Sequence, residues 1–248
     1  MAPVLSVRAL RKSFTLHTID GRTVHSLHGI DLDVRAGEHV ALAGPSGAGK
    51  SSLLRCINRT YLPDSGSVAL RTADDEEVEL TELSDRAMAK VRGREFGYVS
   101  QFLNAPPRTG PLEVVAATGR RRGLDRDEAR DAAVDALRRL NIDEALWDVD
   151  CSVLSGGERQ RVNVAAGTVR PPRLLLLDEP VSALDPANRE LALSLVSTLT
   201  ARGVAVLAVF HDLDAIRRLA TRVVRMEGGQ VVASGTASEI LGELEAVS

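Results

Sequence analysis

Apolar and polar positions alternate early in the chain. Ile30, Leu32 and Val34 are separated by polar residues, and Val68 and Leu70 repeat the pattern after the turn Pro63-Asp64-Ser65-Gly66. Period-two alternation marks a strand with one buried face, so short strands at the start of the chain predict an antiparallel sheet. The pattern then changes. Glu38 to Ala43 (EHVALA) reads as an apolar strand running into a glycine-rich loop, and Lys50 to Arg59 reads as a helix. Strand, loop, helix is the order a nucleotide-binding unit requires.

From Asp125 to Leu140, Ala129, Ala132, Ala133, Ala136, Leu137 and Leu140 fall on one helical stripe, which predicts a helical insert between Pro111 and Val169. After it, strand-like RLLLLDE, helical ANRELALSLVSTLTARG, strand-like VAVLAVF and helical DLDAIRRLATR alternate. That alternation predicts a parallel sheet with crossover helices. No internal repeat or low-complexity linker appears. One domain over residues 1–248 is therefore expected, with a core of 1–100 and 170–248 and a helical subdomain at about 101–169.

Composition narrows the class. Hydrophobic residues at 44% and charged residues at 26% place the chain among soluble globular proteins and not among disordered ones. The net charge is −3, and Arg120, Arg121 and Arg122 are followed at once by Asp125, Asp127 and Glu128, so no basic face for nucleic acid emerges. Cys56 and Cys151 match no metal or redox spacing and read as packing residues. The N-terminus lacks a secretory apolar stretch, so the mature chain is expected to begin near Met1. The longest apolar runs, Leu174 to Leu177 and Val204 to Phe210, fall short of the ~20 residues of a membrane helix. A cytoplasmic location without a transmembrane segment is expected.

Candidate chemistry is concentrated at the ends of the predicted strands. Gly44-Pro45-Ser46-Gly47-Ala48-Gly49-Lys50-Ser51 fits G-x-x-x-x-G-K-[ST], in which backbone N–H groups curl round a phosphate chain at a helix N-terminus. Lys50 would reach the β- and γ-phosphates and Ser51 would bind Mg²⁺. Leu174 to Glu179 (LLLLDE) ends a buried strand in two acids, with Asp178 suited to the metal and Glu179 to the attacking water. Leu154-Ser155-Gly156-Gly157-Glu158 supports two compatible readings, a helix capping box and a site where bare amides and a helix dipole meet an anion. His211 follows a strand end, where parallel sheets place ligands, and Gln101 follows strand-like FGYVS, poised toward metal or water.

These five elements, in this order, resemble the ATP-binding cassette ATPases over nearly the whole chain. The resemblance implies an α/β P-loop NTPase fold of that type, with a mainly parallel sheet core, an N-terminal antiparallel β subdomain and a helical insert. It implies ATP and Mg²⁺ as ligands. It makes Gly44 to Ser52 the phosphate loop, Gln101 the Q-loop glutamine and Ser155, Gly156, Gly157 and Glu158 the signature. Asp178 and Glu179 become the Walker B pair, Ser182 to Asp185 the D-loop and His211 the switch histidine. Phe14 matches the aromatic that stacks on adenine, and the insert HTIDGRTVHS after it reads as a hairpin around Asp20-Gly21. Members of the family work as head-to-tail dimers, which implies a second copy or a related cassette subunit as partner.

The stretch Gln101 to Val115, QFLNAPPRTGPLEVV, lies where such ATPases meet the machine they drive. It closely resembles the L subunits of bacterial carbon–phosphorus lyase systems, as do Tyr61-Leu62-Pro63-Asp64, the stretch Arg139 to Trp147 and Phe210-His211-Asp212. This implies soluble carbon–phosphorus lyase subunits as partners, in a complex that attaches a phosphonate to the ribose of ATP with loss of adenine. Glu158, Val181 and Ala166 depart from the residues common at these family positions, Gln, Thr and Arg. Two alternatives are the ATPase of a lipoprotein-release or macrolide-export transporter and a DNA-linked cassette ATPase. The second would carry a long coiled coil, and no sustained heptads appear.

Overall fold

The computed structural model describes residues 2–16 and 22–246. The chain opens with β1 (Leu5–Leu16) and β2 (Arg22–Val34), followed by β3 (His39–Ala43), α1 (Lys50–Ile57), β4 (Ser65–Arg71), β5 (Glu77–Glu79), α2 (Asp85–Glu95) and β6 (Phe96–Val99). The helices α3 (Pro111–Arg121), α4 (Arg126–Arg139) and α5 (Gly156–Thr168) come next. The chain then alternates through β7 (Leu174–Asp178), α6 (Pro186–Ala201), β8 (Ala205–Val209), α7 (Leu213–Leu219), β9 (Arg222–Glu227), β10 (Gln230–Gly235) and α8 (Ala237–Ala246).

Two sheets result. One is antiparallel, in the order β2-β1-β4-β5. The other runs β10-β9-β3-β8-β7-β6, parallel throughout except for β10 against β9. The antiparallel sheet answers the sequence expectation, but its first strands are long. β4 pairs with β1 only as far as Arg11, and beyond it β1 and β2 continue as a two-stranded ribbon to Leu16 and Arg22. Asp20-Gly21, the expected hairpin turn, lies outside the described residues.

The central strands are almost wholly apolar because both faces of their sheet are covered. Ala41, Ala43, Leu175, Leu177, Val206 and Ala208 belong to one core, shared with α3, α4, α5 and α6. Val40, Leu42, Leu174, Leu176, Ala205 and Leu207 point the other way, into a core shared with α1 and the antiparallel sheet. The predicted stripe is real: Ala129, Ala133, Leu137 and Leu140 are buried, with Ala132 and Ala136 half-buried. α4 starts on a complete capping box, Asp125 with Glu128, and α3 starts on Pro111, whose missing N–H needs no partner there.

The helical insert is bolted to the parallel sheet by Arg122. Its guanidinium donates to the carbonyls of Phe96 (2.8 Å), Gly167 (2.9 Å) and Arg170 (2.7 Å), and burial pulls its pKa down to about 10. Both cysteines are buried free thiols, as packing residues should be. Among the described residues, no helix is long and apolar enough to cross a membrane.

His39 is a polar group buried in this core. Its ring tilts against Phe210 at 5.9 Å, and neither ring nitrogen has a hydrogen-bond partner. Burial lowers its pKa from 6.5 to about 4. An unfolded chain therefore takes up this proton near pH 6.5, while the folded chain resists until about pH 4. Stability is full above pH 6.5 and falls as the pH drops towards 4, by about 3 kcal/mol from this group. Urea titrations at pH 7 and pH 5 should show that His39→Phe flattens this slope; an unchanged slope would place the loss in other groups.

Candidate active site

Three neighbouring strands carry the candidate residues. In the order β3-β8-β7, Val209 pairs with Leu42 on one side and with Asp178 on the other. The parallel direction brings the C-terminal ends of all three to one edge, so the loop after β3, the acids ending β7 and His211 after β8 meet there. This is the edge at which open parallel sheets bind ligands.

The loop from Gly44 to Gly49 is glycine-rich for steric reasons. Gly44 has φ +134°, and a Cβ there would lie 2.0 Å from the Met226 carbonyl oxygen. Gly49 has φ +96°, and its Cβ would lie 2.5 Å from the Ser26 carbonyl oxygen. Gly49 caps α1 without a side-chain hydrogen bond, and no acid occupies the first turn. The first amides of α1 are thus left without a competing side-chain cap or acid and are available to an anion. Pro45, Ser46 and Gly47 are exposed, and Ala48 is buried. Ser52 Oγ accepts a hydrogen bond from Ser26 Oγ at 2.8 Å, tying α1 to β2.

Lys50 is buried, and its ammonium donates to the loop's own carbonyls, Gly44 O at 2.7 Å and Pro45 O at 2.9 Å. Burial lowers its pKa, opposed by the charges of Glu179 and Asp178. Ser51 Oγ donates to Asp178 Oδ1 at 2.8 Å. Burial raises the Asp178 pKa, opposed by the Ser51 hydrogen bond and the Arg55 charge. A hydroxyl beside a carboxylate is an oxygen pair suited to Mg²⁺, which prefers one or two protein oxygens completed by phosphate and water. Among the described residues no cluster of three His, Cys, Asp or Glu side chains forms a full protein cage for a metal. The Ser51–Asp178 pair is a donor set that fits Mg²⁺ shared with a bound phosphate.

Glu179 adopts φ +55°, a left-handed conformation that costs a residue other than glycine about 1–2 kcal/mol. Its amide donates to Val209 O at 3.1 Å and its carbonyl accepts from Ser182 Oγ at 3.2 Å, which holds the turn. The carboxylate meets His211 Nε2 at 2.7 Å. A strained backbone that delivers a carboxylate to a histidine at a strand end is a mark of function.

Among the described residues, Ser155 to Glu158, Asp185, Gln101 and Phe14 make no side-chain hydrogen bond to this cluster. Ser155 is the N-cap of α5 and forms a capping box with Glu158; its hydroxyl also donates to Glu158 Oε2 at 2.7 Å. The Ser155 hydrogen bonds hold the Glu158 carboxyl below its usual range. Gln160 Nε2 donates to Pro180 O at 2.8 Å, so α5 abuts the loop after Glu179. No hydrogen bond or ion pair among the described residues joins Ser155, Gly156, Gly157 or Glu158 to the phosphate loop. Asp185 caps α6 through the amides of Ala187 and Asn188, both at 3.1 Å. Gln101 is exposed after β6, and its side chain has no hydrogen-bond partner among the described residues; it lines a cleft of about 690 Å³ between α1, α2 and the helical insert. Phe14, on the β1–β2 ribbon, packs T-shaped on Tyr61 with ring centroids 5.1 Å apart.

Sequence reasoning missed Arg55 and Tyr98. Tyr98 lies beside Arg55, and burial and the charge of Asp178 raise its pKa. The signal for Arg55 was present, because it follows Ser51 by four residues and so shares its helix face.

Residues 27–182 match the family described as ABC transporter. The chain is 36% identical over 247 residues to the phosphonates import ATP-binding protein PhnC of Bordetella parapertussis, covering 95% of this chain and 92% of that protein. It is 31% identical to the uncharacterized ABC transporter ATP-binding protein YknY of Bacillus subtilis, covering 97% and 100%. Among solved structures, the dimeric ATP-binding cassette MJ0796 in a post-hydrolysis state with ADP and Pi superposes with a TM-score of 0.84 at 26% identity, covering 94% of this chain and 98% of that one.

Gly44→Ala places a methyl group against the Met226 carbonyl in a conformation alanine resists. It should lower stability by about 2 kcal/mol or more. Urea denaturation checks this, and a midpoint equal to that of the parent chain would show that the loop has room the geometry denies.

Proposed function

The chain belongs to the ABC transporter family of ATP-binding proteins, and from that premise we propose that it hydrolyses ATP as the cassette subunit of a carbon–phosphorus lyase complex. The observation that carries the ATPase reading is the meeting of Lys50, Ser51, Asp178, Glu179 and His211 at three adjacent strand ends. In this reading the amides of α1 and the Lys50 ammonium hold the phosphate chain, Phe14 meets the adenine, and Ser51, Asp178 and Gln101 hold Mg²⁺. The metal, when bound, neutralises charge on the phosphate oxygens.

Glu179 is the general base. As the water oxygen bonds to the γ-phosphorus, Glu179 takes a proton from it, and the bond from that phosphorus to the bridging oxygen breaks to leave ADP and phosphate. His211 orients the Glu179 carboxylate and meets the γ-phosphate. The Ser155–Glu158 signature and the Ser182–Asp185 loop act across the contact with a second cassette, which closes over the nucleotide. That assignment agrees with the absence, among the described residues, of any hydrogen bond between the signature and the phosphate loop, and with the dimeric form of MJ0796.

The partner reading rests on the Gln101–Val115 and Tyr61–Asp64 sequence resemblances to carbon–phosphorus lyase L subunits. Phe102, in the loop after Gln101, is 76% exposed, which suits a side chain awaiting a partner. Hydrolysis would drive conformational change in that complex, supporting formation of ribose 1-phosphonate 5-triphosphate on other subunits. A second reading, cassette of a membrane transporter, is favoured by the names of the relatives, which include an importer of phosphonates.

Glu179→Gln should retain ATP while turnover falls by about a hundredfold or more; normal turnover would remove Glu179 from the chemistry. With this variant tagged and ATP present, affinity purification and mass spectrometry should recover soluble phosphonate-pathway subunits. Recovery of an integral membrane permease instead would decide for the transporter reading.

A further inference from the structure

The stretch Tyr61-Leu62-Pro63-Asp64 takes no part in the chemistry above, yet it is fastened to the strand that carries Phe14. Asp64 Oδ1 accepts from Lys12 Nζ at 3.1 Å, and Asp64 Oδ2 accepts from the Ser13 amide at 2.6 Å. The Asp64 amide in turn donates to Arg11 O at 2.8 Å. At the other end of the stretch, the Tyr61 ring meets the Phe14 ring at 5.1 Å and 73°. The Tyr61 hydroxyl accepts from Arg55 Nη1 at 2.8 Å, and the Tyr61 amide donates to Arg55 O at 3.1 Å.

These contacts matter because of where Phe14 stands. It lies beyond Arg11, where β1 has lost its β4 neighbour and keeps only β2. A ring on a two-stranded ribbon is poorly fixed by backbone pairing alone. Arg55, by contrast, leaves α1 one turn after Ser51, on the helix that begins with the phosphate loop. The side-chain bridge Phe14–Tyr61–Arg55 therefore sets the position of the aromatic ring relative to the phosphate site.

We propose that Tyr61 is a positioning residue for the adenine of ATP: it braces Phe14 at a fixed offset from the phosphate loop without itself touching the base. The inference rests on the reading of Phe14 as the adenine contact. Loss of the brace lowers affinity for ligands that carry a base and leaves the phosphate interactions intact. An edge-on aromatic pair of this kind is worth a factor of roughly three to ten in binding.

The test is calorimetric titration of the full chain with ATP and, separately, with inorganic triphosphate, which lacks a base. Tyr61→Leu keeps apolar bulk over α1 and should weaken ATP binding about three- to tenfold, with triphosphate binding unchanged. In turnover assays KM should rise while kcat at saturating ATP stays at the parent value. Tyr61→Phe, which keeps the ring against Phe14 but drops the hydroxyl that meets Arg55, should give a smaller loss than Tyr61→Leu. In a Phe14→Ala background, Tyr61→Leu should add no further loss. Equal weakening of ATP and triphosphate, or additive losses in the double variant, would overturn the brace. If Phe14→Ala weakens ATP binding and Tyr61→Leu does not, the brace is wrong and the Phe14 assignment stands; if Phe14→Ala changes nothing, the adenine assignment itself fails.

Discussion

The hydrogen bond from Ser51 to Asp178 joins the two halves of the site. Ser51 belongs to the helix launched from β3, and Asp178 is the last residue of β7, with β8 between those strands. The bond can form only if three parallel strands end level and the loop after β3 turns tightly enough to start α1 at once. The close approach of Gly44 to Met226 and of Gly49 to Ser26 is what that turn demands. Burial disfavours charge on Asp178, and the Ser51 hydroxyl partly offsets it. The architecture on both faces of the sheet serves to hold these strand ends in register.

Beyond that pair, the site divides by the rigidity of what carries each group. Lys50, Ser51, Asp178 and Glu179 sit on or beside buried strands and a buried helix, and Glu179 is pressed into a left-handed turn by its neighbours. Gln101, Phe102 and Ser155 lie on exposed loops or helix starts at the edge of the helical insert. Arg122, at the end of α3, fixes the insert to the first residue of β6 and ties α3 to the end of α5 through three carbonyls.

Much of this was legible in the sequence, for a physical reason. The phosphate loop, the two acids after four leucines and the histidine after β8 are strand-end features, and strand ends are marked locally by the switch from apolar to polar residues. The apolar runs themselves reported that both faces of the sheet are covered. What stayed hidden depends on pairing across space. The length of β1 and β2 was masked by register shifts near Val7, Leu10 and Lys12 that break the alternation. The contact of Phe14 with Tyr61 joins residues far apart in sequence, and the left-handed turn at Glu179 leaves no compositional trace. The signature was legible as a motif and as a capping box, and Ser155 with Glu158 forms that box.

In the proposed assembly each nucleotide site is completed by the Ser155–Glu158 segment of a second cassette, in the simplest case another copy of this chain. The most direct measurement is ATP turnover of Lys50→Ala and Ser155→Arg chains, assayed alone and then mixed. Each alone should be inactive, and the mixture should recover turnover, because a mixed dimer holds one site with both an intact Lys50 and an intact Ser155. A mixture no more active than its components would contradict assembly of the site between copies.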